Sequence, residues 1–386
     1  MFTQKQIMKR KLVKAFRAGE LHLTYKNGQT TQLIMPKIHA VQILEAGVRY
    51  VFTVPLGLNP SDVESKLWLF HAQFGENIEL FRANKQFTLS VYTSSLPNAL
   101  TYDYEAILPS LKGLRVPIVC GKGRTNKYFS YDLTEHPHLL LAGTTGSGKS
   151  TQLRSVLSTL IKHMAPDHLE MYLGDLKRSE FHAFRNIAHV KSVSTRVEEL
   201  AVILAKVDKE MKRRGDLLDK HEETHTHDLP EDVRPPYLIV CIDEVVLLKK
   251  EKKLMKTIED ISSIGRALGV FLILSMQRGD ADVLDGKLKN NLTVRMGFRH
   301  TDGVNSRITG TPGAEDISRS TPGRFLLKLD ELTELQSPYL TLPEAKLLLK
   351  PFKVEIIKEN ILNEEKTSNE VVSDEPISIF GVLEDE

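Results

Sequence analysis

Residues 139–150 read LLLAGTTGSGKS, a short apolar run that passes straight into a glycine loop of the form G-x-x-x-x-G-K-[ST], from Gly143 to Ser150. The residue types explain themselves. Gly143, Gly146 and Gly148 permit backbone conformations that larger residues resist, so successive N–H groups can turn inward on phosphate oxygens. Downstream, Leu153, Val156, Leu157 and Leu160 recur at helical spacing. They predict a helix that begins near Lys149 and points its positive N-terminal end at the loop. Lys149 is then placed to reach the β and γ phosphates of a nucleoside triphosphate, and the Ser150 hydroxyl to ligate Mg²⁺. The expected nucleotide-binding set is Gly143, Thr144, Thr145, Gly146, Ser147, Gly148, Lys149, Ser150 and Thr151, with ATP and Mg²⁺ as the ligands.

A second apolar run supplies the partner. Residues 237–244 read YLIVCIDE, a buried parallel strand by its composition, ending in two acids where such strands meet their ligands. Asp243 is expected to hold Mg²⁺ through its water shell. Glu244 is expected to polarise the water that attacks the γ-phosphate, a general-base role. The bland alternative is a core strand that happens to end in two carboxylates, which would be costly without a metal or a base role.

The chain has 386 residues, enough for two or three domains, with 41% hydrophobic and 26% charged residues, as in a soluble globular protein. No stretch approaches the roughly 18 apolar residues of a membrane span. The N-terminus lacks the apolar core and cleavage site of a signal peptide. Cys120 and Cys241 both lie in apolar strand-like runs and read as buried reduced thiols, consistent with a cytoplasmic protein. The formal charge of +2 conceals an asymmetry. Residues 363–386 hold eight acids and one lysine, a net −7, which leaves +9 for the rest. A modestly basic body is compatible with nucleic acid as partner.

Four segments follow from composition and periodicity. Residues 1–18 read as a basic amphipathic helix, with Met8, Leu12 and Phe16 on one face and Lys5, Lys9, Arg10, Lys11 and Lys14 over much of the rest. It could contact DNA or an anionic membrane surface, or pack on its own domain. Residues 19–104 read as a small α+β assembly or docking domain. It has a hairpin turn signal at Asn27-Gly28, a helix start at Asn59-Pro60-Ser61, and strands at IELFRA and QFTLSVYT. Residues 105–350 carry the nucleotide site. Strands at MYLGDLK (171–177), GVFLILS (269–275), 294–298 and 324–329 alternate with helices, so the class is α/β with a doubly wound, mainly parallel sheet. Thr195 to Glu198 reads as a capping box that opens a long helix. Residues 351–386 form an acidic tail that is expected to be disordered, with ISIFGVL (377–383) as a candidate docking peptide.

The residues around the loop narrow the function. The stretch 116–150, VPIVCGKGRTNKYFSYDLTEHPHLLLAGTTGSGKS, resembles the entry to the FtsK/SpoIIIE family of DNA-translocating motors (the HerA/FtsK superfamily). The features it shares are a Pro before the first strand, a Gly at 121, Asp132-Leu133 and the Pro137–Leu140 lead-in. GDLKRSEF (174–181) is similar to that family's Asp-Pro-Lys segment, with Leu176 in place of Pro. EMKRR (210–214), GRALGVFLILSMQR (265–278) and NNLTVRMGFRHTDGVNSR (290–307) follow in the family's order. The N-terminal PKIHAVQILEAGVRYVFTVPLGLNPSDVE (36–64) resembles the FtsK-like coupling proteins of Gram-positive conjugative elements.

The resemblance implies a P-loop NTPase of RecA-like fold that acts as a homo-hexameric ring on double-stranded DNA, with each ATP site between neighbouring subunits. It implies Gln277 as a polar sensor beside Asp243 and Glu244. An arginine supplied in trans completes the site, with Arg266 the first candidate and Arg278 and Arg307 behind it. Lys249, Lys250, Lys252 and Lys253 of KKEKK are candidates for DNA phosphate contact. A relaxase or a membrane transfer-channel protein is the implied partner, and the membrane spans and winged-helix reader of the large chromosome translocases are not expected. A protein-export ATPase of the type VII class, a helicase or partition motor and a non-motor nucleotide switch are the competing readings. HEETHTHD (221–228) carries His221, His225, His227 and Asp228 close together, a weak metal signal in what reads as an exposed polar loop.

Overall fold

The computed structural model describes residues 3–27, 30–284 and 286–354. Gly28 of the expected hairpin turn and the acidic tail beyond residue 354 lie outside the described residues. The N-terminal unit holds α1 (Gln4–Ala18), β1 (Leu23–Asn27), β2 (Thr30–Ile34), β3 (Lys37–Leu44), β4 (Gly47–Thr53), α2 (Pro60–Ser65), α3 (Leu67–Phe74), β5 (Ile78–Ala83) and β6 (Gln86–Tyr92). β1 and β2 form a hairpin, and a four-stranded sheet runs β3-β4-β6-β5. α1 buries Leu12, Ala15 and Phe16 in the same core as Phe52, Phe70 and Phe87, so the basic helix is built into this unit and turns its lysines outward. Asn59 caps α2 through its side chain, with Pro60 at the first helical position.

The larger unit continues with α4 (Tyr104–Leu111), β7 (Pro117–Lys122), β8 (Tyr128–Asp132), β9 (Leu139–Ala142), α5 (Lys149–His163), β10 (Leu169–Asp175), β11 (Val190–Ser194), α6 (Val197–His221), β12 (Tyr237–Asp243), α7 (Lys252–Leu268), β13 (Val270–Met276), α8 (Gly286–Asn291), β14 (Val294–Phe298), α9 (Gly303–Thr309), β15 (Arg324–Lys328), β16 (Leu332–Gln336) and α10 (Leu342–Leu349). One sheet takes the order β11-β10-β12-β13-β9-β14-β15-β16-β7-β8. From β11 to β14 the pairings are parallel; from β14 to β8 they are antiparallel. The fold is therefore the expected α/β sheet with a mainly parallel nucleotide-binding half, extended by an antiparallel wing.

Strand periodicity divides the core into two layers. On one face Leu139, Leu141, Ile239, Cys241, Phe271 and Ile273 pack with α5 residues Leu153, Val156, Leu157 and Leu160. On the other Leu140, Leu238, Val240, Ile242, Leu272 and Leu274 pack with α6 and α7 through Leu204, Val207, Ile258 and Ile261. Arg214, about 1% exposed, ties these helices to the sheet by donating to the carbonyls of Leu268, Gly269 and Pro236 and to Glu210.

The expected capping box at Thr195–Glu198 does not form. Arg196 is the N-cap residue and makes no side-chain cap bond. Instead the Thr195 N–H donates to Glu199 Oε2 at 3.0 Å, one residue later than the pattern predicts. Strands β3, β8, β11 and β16 were not anticipated either. All four are short or half-exposed, and their pairing partners supply the order that their own residues do not.

Candidate active site

The parallel strands end at one edge, and the phosphate loop, Asp243 and Gln277 sit there together. β13 lies between β12 and β9, so one strand separates the two acids from the loop. Gly143 N–H donates to the Met276 carbonyl at 3.2 Å, and Thr144 N–H to the Arg299 carbonyl at 3.0 Å. The far side of the loop is held by Gly323 N–H, which donates to the Ser147 carbonyl at 2.8 Å. Gly148 has φ 105°, and a Cβ there would come within 2.5 Å of Gly323 backbone atoms. That close approach, with left-handed geometry, requires glycine on the loop side.

Lys149 opens α5 and points into the site. Its side chain is 7% exposed, and its Nζ lies 3.0 Å from Ser275 Oγ and 3.4 Å from Asp243 Oδ1. Ser275 Oγ in turn donates to Asp243 Oδ1. Burying an unpaired ammonium or carboxylate costs several kcal/mol, so Lys149 and Asp243 offset each other's charge and the Ser275 hydroxyl bridges them. Cys241, two residues before Asp243, faces the core; burial first and then the Asp243 charge push its thiol well above the usual range, so it is unreactive.

Glu244 follows β12 in left-handed geometry, φ 59°. Its Oε1 accepts from the Gln277 N–H at 3.1 Å and its Oε2 from Lys177 Nζ at 2.8 Å. Gln277 therefore meets Glu244 through its backbone and also lines the cavity over the phosphate loop. Lys177 sits on a loop after β10 that Asp175 fixes, accepting from the N–H groups of Ser179, Glu180 and Phe181.

A cavity of about 630 Å³ opens over the loop, lined by Thr144, Thr145, Gly146, Gly148, Lys149, Ser150 and Thr151. This is the size of a nucleotide-scale pocket. Its other walls come from Asn98–Leu100, from Ser179 and Glu180, and from Gly323, Gln336, Ser337 and Tyr339. The donor set suits a hard divalent cation, with the Ser150 hydroxyl in the cavity and the buried Asp243 carboxylate nearby.

Residues 111–280 match the model of the FtsK/SpoIIIE family. Over this segment the chain is similar to that family. The DNA translocase FtsK of Helicobacter pylori is 32% identical over 269 residues, covering 64% of this chain and 31% of the relative. The chain thus spans about a third of the length of the curated relatives it matches. Among solved structures, the conjugation coupling protein TcpA of pCW3, in its monomer form with ATPγS, superposes with a TM-score of 0.61 at 22% identity. It covers 89% of this chain and 99% of that one, a likeness of fold. The cytoplasmic domain of the Thermomonospora curvata type VII secretion ATPase EccC gives 0.56 at 25% identity, covering 62% of this chain and 31% of that one.

The remaining candidates scatter over the larger unit. Arg266 is near the C-terminus of α7, at the opposite end of the sheet from the phosphate loop, where it donates to the Thr134 carbonyl and pairs with Glu135. It cannot reach its own nucleotide pocket. Arg278 and Arg307 are exposed. Lys249 is not a free cation, since it pairs with Asp280 at 3.0 Å and Asp282 at 2.6 Å. Lys250, Lys252 and Lys253 are exposed. His225, His227 and Asp228 do converge, with 3.8 Å and 3.6 Å between their ligand atoms, but without His221. The turn is pinned by Thr226 N–H on the Ala267 carbonyl, at the end of the sheet away from the phosphate loop.

Sequence reasoning missed Ser275, Lys177 and the walls at 98–100 and 336–339. Ser275 had a signal, a lone hydroxyl inside the apolar run GVFLILS. The walls had none, because they are brought in by the antiparallel wing and the segment that joins the two units.

Proposed function

We propose that this chain is an ATP-hydrolysing DNA translocase of the FtsK/SpoIIIE type that acts as a homo-hexameric ring on double-stranded DNA. The observation that carries the reading is the convergence of Lys149, Asp243, Ser275 and Glu244 at one sheet edge of a domain of that family. Loop N–H groups and Lys149 hold the β and γ phosphates of ATP. Mg²⁺, held by Ser150 and through water by Asp243, neutralises phosphate charge when bound. Glu244 takes a proton from a water whose oxygen attacks the γ-phosphorus, while the bond to the β–γ bridging oxygen breaks and ADP leaves. Gln277 orients the glutamate and senses the γ-phosphate. Arg266 acts in trans, inserted by a neighbour, so that turnover moves subunits past one another.

The N-terminal unit, residues 1–104, serves as a docking module for a relaxase or a membrane transfer-channel protein in a conjugative or other mobile element. The fold likeness to TcpA supports that role. No helix among the described residues is long and apolar enough to cross a membrane. In this reading the motor is cytoplasmic and its partner recruits it to the membrane. The EccC likeness favours a second reading, a protein-export ATPase.

ATPase rates with and without duplex DNA separate the two. Several-fold stimulation by duplex supports the translocase; a rate indifferent to DNA leaves the export reading; no turnover removes both. Glu244→Gln is expected to bind ATP with near-normal affinity and to hydrolyse it at least about 100-fold more slowly. Normal turnover in that variant would take the base role away from Glu244.

A further inference from the structure

The turn between α6 and β12 holds two imidazoles and a carboxylate that the nucleotide chemistry does not use. His225 Nδ1 lies 3.8 Å from Asp228 Oδ2, and His227 Nε2 lies 3.6 Å from Asp228 Oδ1. Both distances are too long for hydrogen bonds. They are close to the spacing of neighbouring donors around a tetrahedral ion, about 3.4 Å when each donor sits about 2.1 Å from Zn²⁺. One donor atom from each of the three residues lies within 4.8 Å of the other two, so modest rotation of these partly exposed side chains brings them onto one ion. The two imidazole rings are stacked, with centroids 5.1 Å apart. The backbone beneath them is fixed. Thr226, between the two histidines, is buried, and its N–H donates to the Ala267 carbonyl at 2.9 Å. Asp228 N–H donates to the His225 carbonyl at 3.0 Å. Leu229 is fully buried, and its carbonyl accepts from both Nε and Nη2 of Arg234. Donors held by such a backbone lose little chain entropy when an ion binds.

We propose that His225, His227 and Asp228 form a binding site for a divalent transition-metal ion, Zn²⁺ by donor type, with water completing the coordination. Two imidazole nitrogens and one carboxylate oxygen suit Zn²⁺, whereas Mg²⁺ and Ca²⁺ prefer oxygen donors alone. Thr224 Oγ1, 3.1 Å from His225 Nδ1, is exposed, and its hydroxyl turns to water when that nitrogen takes the metal. The ion clamps the turn onto the end of α7 through the Thr226–Ala267 bond, one residue beyond Arg266. The site lies at the end of the sheet away from the phosphate loop, so it stands or falls separately from the ATPase reading.

The test titrates Zn²⁺ into the full chain, stripped with chelator and held in excess Mg²⁺ so that oxygen-only sites are filled, and reads calorimetry and thermal unfolding. Wild type is expected to take up one tight equivalent and to unfold at a higher temperature with Zn²⁺, since an ion that binds only the folded chain stabilises it. His225→Gln and His227→Gln are each expected to weaken that equivalent at least about 100-fold and to lose the thermal shift, while unfolding as wild type does without metal. His221→Gln, outside the cluster, should bind as wild type. Co²⁺ in place of Zn²⁺ should give the visible absorption of a four-coordinate ion in wild type and lose it in the same two variants. Absence of a tight equivalent in wild type overturns the proposal. Undiminished binding in His225→Gln or His227→Gln overturns it too, by placing Zn²⁺ on other histidines, and so does an equal loss in His221→Gln. If either cluster variant fails to fold, Asp228→Asn, at an exposed position, supplies the same comparison.

Discussion

Ser275 donates to Asp243 Oδ1 and accepts from Lys149 Nζ at 3.0 Å, standing between a buried carboxylate and a buried ammonium that are themselves 3.4 Å apart. It is the hydroxyl of a strand otherwise made of apolar residues, and it faces the phosphate loop because strand side chains alternate. Removing it leaves two buried charges with one long contact. Ser275→Ala is expected to destabilise the fold by about 1–2 kcal/mol and to lower ATP turnover. Chemical denaturation read beside ATPase rates checks this; an unchanged unfolding midpoint would mean the hydroxyl adds nothing to the pair.

Among the elements, β9 has a vulnerable approach. His138 precedes it with φ 62°, fully buried, and its Nδ1 accepts the Leu272 N–H of β13 at 3.0 Å. The imidazole thus joins the phosphate-loop strand to its neighbour. Burial pushes its pKa down from 6.5 to about 4, and burial does the same to His300 after β14. The sign follows from linkage. The unfolded imidazole takes up a proton at a higher pH than the folded one, so acid favours the unfolded chain. Stability is therefore insensitive to these groups above pH 6.5 and falls as the pH drops from 6.5 toward 4, by roughly 3 kcal/mol for His138. Urea midpoints across that window should drop, and His138→Gln should drop less steeply. Equal slopes in the two proteins would show that His138 is protonated without penalty. Capping rules held where the cap is local, as at Asn59, and failed at Thr195, where the chain enters α6 one residue out of phase.

For the whole molecule, the segment joining the two units is part of the nucleotide pocket. Tyr339 N–H donates to the Leu100 carbonyl, Tyr102 N–H to the Tyr339 carbonyl, and Arg324 to the Pro97 carbonyl. Salt bridges Arg124–Glu79 and Lys127–Glu45 add contacts between the units. Residues 97–102 thus tie the N-terminal unit to the wall of the nucleotide pocket. Arg266 belongs to this scale because its own chain holds it far from the phosphate loop. If it acts in trans, Arg266→Ala should lose about a thousandfold in turnover. Mixing it with Lys149→Ala, itself inactive, should restore part of the activity, because some seams then pair an intact loop with an intact arginine. Full activity in Arg266→Ala alone, or no recovery on mixing, would send the role to Arg278 or Arg307.

The phosphate loop, its flanking strand and helix, the Asp243 strand and the α/β class were legible in the chain because each is a local pattern. A glycine spacing, an apolar run with a terminal acid and helical periodicity do not depend on what lies next to them. The strand order, with β13 inserted between β12 and β9, was settled only in three dimensions, and so was the antiparallel wing that closes the pocket. The same holds for contacts across long sequence separations, namely Lys149 with Asp243, Lys177 with Glu244, Gly148 against Gly323 and Leu100 against Tyr339. Such contacts depend on how separate elements pack, and no spacing within either partner encodes the distance between them.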